Sequence, residues 1–309
     1  MAAHSQDVFH HVRDATVFEF PQFLGGEVQI PQPFGEYFVL TKFMILEVVA
    51  ALIVFFIYRS LARRIQGGEP IRGAFWTFWE TLALFIRDEV VRPVIGRGHD
   101  HDDHGHGDHA HPSTNGAHTS DEHAHDAPAK VSAEHPADKY LPFVWSVFFF
   151  VLICNLLGAI PWMGSPTGNL WVTGTLALST LFVTIWSGSA ELGSGGYWKA
   201  LVPPMDVPAV LKPLLVPLLW VIEVLGLLIK HGVLAVRLFA NIMAGHTVIA
   251  VILTFIGEVA MSPLVWVVAP ASVFGQVAIG LLELFIAFLQ AYIFAFLATL
   301  FISSAVHPH

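Results

Sequence analysis

Apolar residues in this chain are gathered into long runs separated by shorter polar connections. Three runs, 37–58, 141–162 and 170–186, are close to the roughly 20 residues that a helix needs to cross a bilayer. Two longer runs, 211–257 and 264–305, exceed one perpendicular crossing, so we expect long, tilted or partly interfacial antiparallel helices there. The pattern predicts an all-α, polytopic membrane protein with about five crossing helices.

A further apolar segment, 73–95, differs from these runs. Its apolar half is short for a span, and charged residues such as Arg87, Asp88 and Arg92 follow at once. Two interpretations remain open. The segment lies in the inner membrane interface as an amphipathic helix, or it enters the membrane as a shallow hairpin.

Lysine and arginine are concentrated in the connections that would lie on one side of the membrane. They follow the first run, precede the second and lie between the third and fourth, whereas 163–169 and 257–263 contain none. With five crossings, the positive-inside rule predicts an outer N-terminus and a cytoplasmic C-terminus. Residues 1–35 form the extracytoplasmic segment, and they do not resemble a cleaved signal peptide.

The composition supports a membrane protein and argues against a soluble domain or a chain held by an intrachain disulfide. Hydrophobic residues make up 55% of the chain and charged residues 13%, far from the composition of soluble domains. Cys154 is the single cysteine, so no intrachain disulfide forms and we expect it to serve in packing. The net charge of −9 comes partly from one acidic loop and gives no reason to expect a nucleic-acid partner.

That loop, 99–138, is rich in His and Asp and has almost nothing to bury, so we expect a disordered cytoplasmic insert. It separates 36–98, the first span with the interfacial segment, from a transmembrane core at 139–309. Two interpretations of the insert remain open, a solvated linker and a weak binder of zinc, nickel or copper. The candidate metal ligands are His99, His101, His104, His106, His109 and His111.

The fourth run carries polar residues at helical spacing. Glu223, Lys230 and Arg237 are seven residues apart and so share one face, with Asn241 close to it. His246 is nine residues from Arg237 and points to the opposite side. A charge at the bilayer centre costs about 2.5–3.5 kcal/mol, which favours a functional role for the arginine. A structural ion pair for Arg237, and headgroup-level snorkelling for the other two charges, are the alternatives.

The fifth run is polar at Glu283 and Gln290. An antiparallel register that sets Glu283 level with His246 also sets Gln290 nearly level with Arg237. The register predicts a carboxylate beside an imidazole and an amide beside the guanidinium. A purely structural His246–Glu283 hydrogen bond is the alternative.

These residues lie in recognisable motifs. The stretch LLIKHGVLAVRLFANIMAGH (227–246) closely resembles the signature helix of subunit a in the membrane (Fo) sector of F-type ATP synthases. FVLICNLLGAIPW, SPTGNLWVTGTLAL and LELFIAFLQAYIFAFLATLFIS resemble its other blocks. The resemblance implies a non-catalytic proton-channel subunit without cofactors, which acts in the bilayer with a c-subunit rotor ring and peripheral-stalk b subunits.

The resemblance also implies residue roles in proton translocation. Arg237 matches the family's essential arginine, which faces the ring carboxylates and separates two aqueous half-channels. His246 and Glu283 match a pair lining the outer half-channel. The remaining candidates are Asn241 and Gln290 beside the arginine, Glu223 at the inner half-channel with Lys230 on the same face, and Asn155 and Asn169 near the outer one.

A secondary cation transporter with a metal-buffering loop is the main alternative function. Such a transporter would place sets of His, Asp or Glu ligands within its spans, whereas the spans contain only His231 and His246, on different faces. An intramembrane enzyme is disfavoured because the spans hold no Ser/His, paired-Asp or HExxH arrangement.

Overall fold

The structure is a computed structural model that describes residues 15–19, 26–32, 39–66, 73–96, 136–160, 163–202, 208, 211–259 and 262–307. In this part of the chain, five helical stretches are long and apolar enough to cross a membrane. The prediction of an all-α membrane protein with five crossings is therefore confirmed. The first crossing begins at Lys42 rather than Tyr37, and residues 37–38 lie outside the described ranges.

The described helices are numbered in chain order. They are α1 (Lys42–Gln66), α2 (Ala74–Phe85), α3 (Arg92–Ile95), α4 (Leu141–Gly158), α5 (Leu170–Leu192), α6 (Ser194–Ala200), α7 (Lys212–Val259) and α8 (Val265–Val306). A π-helical segment, Ile86–Val91, joins α2 to α3. Short 3-10 helices at Pro136–Tyr140 and Pro166–Gly168 precede α4 and α5.

A small antiparallel hairpin, which the sequence did not predict, lies before α1. Its strands are β1 (Val17–Glu19) and β2 (Glu27–Gln29), with Phe18 opposite Val28. The Lys42 backbone N–H donates to the Ala15 carbonyl at 2.8 Å. The strand region thus satisfies one of the amide groups that the first turn of α1 leaves without a helical partner.

α4 is the centre of the fold because it is apolar on every side. Phe148, Leu152 and Cys154 are fully or almost fully buried on it, and α1 and α8 pack against it. A helix that is hydrophobic all round belongs in the interior of a bundle. The burial of Cys154 agrees with the packing role expected for it.

The segment 74–95 forms one continuous helical run with no turn inside it. It packs along the first half of α4, where the Trp145 indole N–H donates to the Ala83 carbonyl at 2.9 Å. It also follows α8, where the Ser303 hydroxyl donates to the Val94 carbonyl at 2.9 Å. The segment therefore does not form a hairpin. The depth of the segment in the bilayer stays a prediction.

The insert lies almost wholly outside the described residues. Residues 99–135 are not described, but 136–138, which the sequence analysis placed in the insert, belong to a 3-10 helix. Ala137 is fully buried there, and Asp138 accepts two hydrogen bonds from Arg92, at 2.9 and 3.1 Å. Burial and this bidentate ion pair are the physical reasons why these three residues are ordered.

α5 contacts α7 and α8 through a stripe of small and hydroxyl side chains. The hydroxyl groups of Thr180 and Thr184 donate to carbonyls one turn back in α5, at 3.1 and 2.8 Å, so burying them leaves no unpaired donor. A methyl group added to Gly188 would lie only 2.5 Å from the ring of Tyr197, so the position requires glycine. Small residues of this kind allow membrane helices to approach closely.

α7 and α8 are the long antiparallel helices that the sequence predicted. The Glu283 carboxylate of α8 lies against Gly245 of α7, and the Phe301 ring lies 4.7 Å from the His231 ring. From the first contact to the second, the residue number falls along α7 and rises along α8, so the two helices are antiparallel. α7 contains 48 residues. At 1.5 Å per residue it is about 72 Å long, far more than the roughly 30 Å of bilayer hydrocarbon, so it cannot cross perpendicularly.

Several charged groups of the described helices lie where α4 begins and α5 ends. There Lys139 forms an ion pair with Glu191 of α5. Arg92 and Asp138 lie at the same end, since they precede and follow the insert. The arrangement is consistent with the positive-inside pattern, and the direction in which this end faces stays a prediction.

Candidate functional site

Arg237 projects from the exposed side of α7. Its neighbours on that side are apolar, and the side chains of Val233 and Val236 are about half exposed. In the described part of the chain Arg237 forms no ion pair. The structural ion pair considered for Arg237 does not form within these residues. A permanent charge on an apolar surface points to a partner outside this chain.

His246 lies on the other side of α7, toward α8, as its spacing from Arg237 predicted. The Glu283 carboxylate packs against Gly245, so close that a methyl group there would lie 2.9 Å from Glu283 Oε1. Lys42, at the start of α1, is a charged neighbour of His246. The predicted register is confirmed at this level, because Glu283 lies beside the residue that precedes His246.

His246 and Glu283 do not share a hydrogen bond. Within the described residues, His246 Nε2 and Glu283 Oε1 are both buried and have no partner. An unpaired buried polar group costs about 1–3 kcal/mol, and native proteins contain few of them. The purely structural hydrogen bond considered for this pair is therefore not what the structure contains.

The polar positions of α8 form a stripe. Gln276, Glu283 and Gln290 are seven residues apart, and each has a buried polar atom without a hydrogen-bond partner among the described groups. Seven residues are close to two turns, so the three side chains share one face. Such a row is unusual on an apolar helix, because most buried polar groups in native proteins are paired.

Gln290 and Arg237 stand at nearly the same level but on different surfaces. Gln290 is buried in the bundle, whereas Arg237 is exposed, and no hydrogen bond joins them in the described part of the chain. Asn241, one turn beyond Arg237, is half-buried. The predicted alignment of the amide and the guanidinium thus concerns only their level along the two helices. The two groups are not hydrogen-bonded to each other.

Asn155 is buried in α4. Its hydrogen-bond partner on α8, Ala287, lies one helical turn from Glu283. The Asn155 side-chain Nδ2 donates to the Ala287 carbonyl at 3.3 Å, and its Oδ1 accepts from the Thr167 hydroxyl at 2.8 Å. Asn155 therefore connects α4, the 163–169 connection and α8 through buried hydrogen bonds.

Asn169 caps α5. Its side-chain oxygen accepts a hydrogen bond from the Trp171 backbone N–H at 2.9 Å, as expected of an N-cap asparagine. The sequence analysis assigned it to the outer half-channel through the resemblance alone. Capping accounts for an asparagine at this position, and the channel role stays a prediction.

The ionisable residues Glu223, Lys230 and His231 lie in the first half of α7. Glu223 is half-buried and Lys230 is exposed, which fits the shared face predicted for them with Arg237. His231, to which the sequence assigned no role, is buried against Phe301, and its Nδ1 lies 2.9 Å from the Leu227 carbonyl. That carbonyl can only accept, so Nδ1 carries the ring proton.

Sequence reasoning missed Thr167, Ser165 and Gly245 as parts of the site. The first two lie in the SPTGN stretch and the third in the AGH stretch, both quoted for the resemblance but not examined residue by residue. The available signals were that Thr167 lies two residues before an asparagine and that Gly245 directly precedes a titratable histidine in a helix.

The described residues contain no group of three or more His, Cys, Asp or Glu side chains arranged to hold a metal ion. The candidate ligands in the His-rich insert lie outside the described ranges. At the charged end, the hydrogen bonds that Arg92 donates to Asp138 raise the pKa of Arg92, and the hydrogen bonds that Arg87 donates to Asp88 lower the pKa of Asp88. These ion pairs remain charged at any physiological pH.

The fold and the site define a multi-pass helical membrane protein. One long helix carries an arginine that has no ion-pair partner in the described part of the chain, and its antiparallel neighbour carries a polar stripe. A family profile described as ATP synthase A chain matches residues 125–303. ATP synthase subunit a of Myxococcus xanthus is 37% identical over 273 residues, 87% of this chain and 75% of that protein. Those of Chloroherpeton thalassium and Pelodictyon phaeoclathratiforme are 32% and 36% identical, covering 97% and 96% of this chain and 76% and 75% of theirs.

Both the family profile and these relatives cover most of the described core, including α4, α5, α7 and nearly all of α8. The chain belongs to the ATP synthase A chain family, the family of subunit a. The expectation drawn from the signature helix is confirmed.

Proposed function

We propose that this chain is the proton-conducting stator subunit of a rotary F-type ATP synthase, with two offset half-channels separated by Arg237. The observation that supports this most directly is the position of Arg237, which is exposed on a largely apolar face of α7 and has no ion-pair partner among the described residues. A fixed cation on a largely apolar, exposed helix face suits a passing rotor whose subunits each carry a carboxylate. The partners in this proposal are a c-subunit ring, peripheral-stalk b subunits and the lipid bilayer.

In this proposal Arg237 has two effects. Because it stays charged at any relevant pH, it favours the ionised form of a ring carboxylate that approaches it, and so promotes loss of the carried proton. The same charge repels protons and blocks their direct passage between the half-channels. Protons must then travel on the ring, and each one that crosses releases about 2.3 kcal/mol per 100 mV of membrane potential.

The other candidates divide between the two half-channels. His246 and Glu283 exchange protons on the outer side, and their buried atoms without a hydrogen-bond partner among the described groups support this role. Asn155 and Asn169 are assigned to the same side, Asn241 and Gln290 to the neighbourhood of the arginine, and Glu223 with Lys230 to the inner side. The chain forms no covalent bonds with a substrate and has no active site of its own, and its N-terminus faces outward from a bacterial inner membrane.

Family membership favours this function over the cation transporter. For the His-rich insert we propose a cytoplasmic linker, with weak binding of divalent transition metals as the second possibility.

Replacing Arg237 with Ala tests the proposal. We expect ATP-driven proton pumping into inverted vesicles to fall below detection while the chain still assembles with the rotor. Arg59→Ala, which removes an exposed cation from α1, is the matched control and should pump normally. Normal coupled pumping by Arg237→Ala would refute the stator role.

A further inference from the structure

A buried chain of hydrogen bonds connects the 163–169 connection to α8. The Ser165 and Thr167 hydroxyl oxygens lie 2.7 Å apart, and Thr167 Oγ1 lies 2.8 Å from Asn155 Oδ1. Asn155 Nδ2 in turn lies 3.3 Å from the Ala287 carbonyl oxygen. Ser165, Thr167 and Asn155 are each at most 2% exposed, so water does not compete for these groups.

The direction of each hydrogen bond follows from the chemistry of the groups. The Ala287 carbonyl can only accept, so it must face the amide nitrogen of Asn155, and the amide oxygen then faces Thr167. That oxygen can only accept, so Thr167 donates its single proton to Asn155. Ser165 must therefore be the donor to Thr167. Thr167 therefore accepts from Ser165 and donates to Asn155, which in turn donates to α8.

The connection is held tightly against α4. A methyl group on Gly158 would lie 2.3 Å from Ser165 Cβ, so only glycine permits this approach. The Ser165 hydroxyl also lies 3.5 Å from the Cys154 carbonyl. Thr167 consequently occupies a fixed position from which it orients the Asn155 amide.

The α8 end of the chain is one helical turn from Glu283. Residues 283 and 287 are four apart, so they lie on the same face of α8. A hydrogen bond to the Ala287 carbonyl fixes both the rotation and the height of that turn relative to α4. The Glu283 carboxylate has no hydrogen-bond partner of its own among the described groups and rests against Gly245. Its position therefore depends on the position of the turn that carries it.

We propose that Thr167 is a positioning residue for Glu283. Acting through Asn155 and the Ala287 carbonyl, it holds the carboxylate at the level of His246, where the outer-side proton exchange takes place. This inference rests on the proposed function, since it assigns Thr167 a role in the same half-channel. Thr167 itself exchanges no proton with the rotor.

Thr167→Val tests the inference, because valine keeps the shape of threonine and removes only the hydroxyl. We expect the rate of ATP synthesis driven by outer-side protons to fall about fivefold to tenfold, as for loss of one buried hydrogen-bond partner. The outer pH at half-maximal rate should also shift, since Glu283 changes its surroundings. Thr167→Ser keeps the hydroxyl and should restore both the rate and the pH profile.

Thr184→Val is the matched control. Thr184 is also fully buried, but its hydroxyl donates only to the Thr180 carbonyl of its own helix. It should leave the pH profile unchanged. If Thr167→Val fails to assemble, Thr167→Ala provides the same test with less steric demand.

Three outcomes would overturn the inference. Thr167→Val behaving like the unchanged protein would show that the hydroxyl is dispensable, and Thr167→Ser behaving like Thr167→Val would show that packing is what matters. Failure of both Val and Ala variants to assemble would make the chain of hydrogen bonds a folding element only. Because Arg237→Ala tests the stator role separately, a silent Thr167→Val beside an inactive Arg237→Ala removes only this inference.

Discussion

Gly245→Ala is the sharpest test of the contact between α7 and α8. The new methyl group would lie 2.9 Å from Glu283 Oε1 and 3.1 Å from Cδ, whereas ordinary contacts begin at 3.4 Å. The carboxylate must therefore move by at least the difference between 2.9 and 3.4 Å, which is 0.5 Å. Alanine is a better helix former than glycine by about 1 kcal/mol, so α7 itself is not weakened. Any loss of function then comes from the displaced carboxylate.

The size of that loss can be bounded. Overpacking a tight contact costs about 1–3 kcal/mol, and the lower end applies because a glutamate side chain can bend. About 1 kcal/mol corresponds to a roughly fivefold decrease in the rate of the step that needs the carboxylate in place.

The assay is ATP synthesis driven by an imposed proton gradient, measured over a range of outer pH, with pumping in inverted vesicles as the second readout. Gly174→Ala is the control, because a methyl group on Gly174 meets nothing within 4 Å. A Gly245→Ala variant with the rate and pH profile of the control would refute the placement of Glu283.

Two further predictions concern the carboxylate and the insert. Glu283→Gln, which keeps the shape but removes the titration, should slow proton uptake from the outer side, and an unaltered pH–rate profile for ATP synthesis would show that the residue is only structural. Deleting residues 99–135 should leave pumping coupled to ATP hydrolysis, because none of the described site residues lies there, and loss of the assembled complex on native gels would contradict this.

The sequence predicts the crossing helices well because the bilayer imposes a length and an apolar composition on them. The register of α7 and α8 was predictable for a related reason. So few polar residues lie in these helices that aligning Glu283 with His246 left little choice, and the Gly245 contact confirms it.

Other features of the site depend on contacts between distant parts of the chain. Asn155 and the Ala287 carbonyl are 132 residues apart, and no local pattern indicates their hydrogen bond. The capping role of Asn169 was not predicted, for a different reason. An asparagine directly before an apolar helical run is a typical N-cap, and this local signal was available in the sequence.

The small hairpin before α1 was not predicted either. Its strands contain three residues each, and their pairing depends on hydrogen bonds to α1 and to neighbouring loop residues. Isolated hairpins of this size are marginal, so sequence patterns alone give little indication of them.

The bidentate ion pair between Arg92 and Asp138 has a practical consequence. The described core ends at Gly96 and resumes at Pro136, and the ion pair fixes these two ends close together. Closing a longer loop adds only about 0.6 kcal/mol for each doubling of its length. This junction is therefore a natural place to attach a fluorescent domain or an affinity tag. A label there would lie at the charged end of the chain, away from the polar stripe of α8.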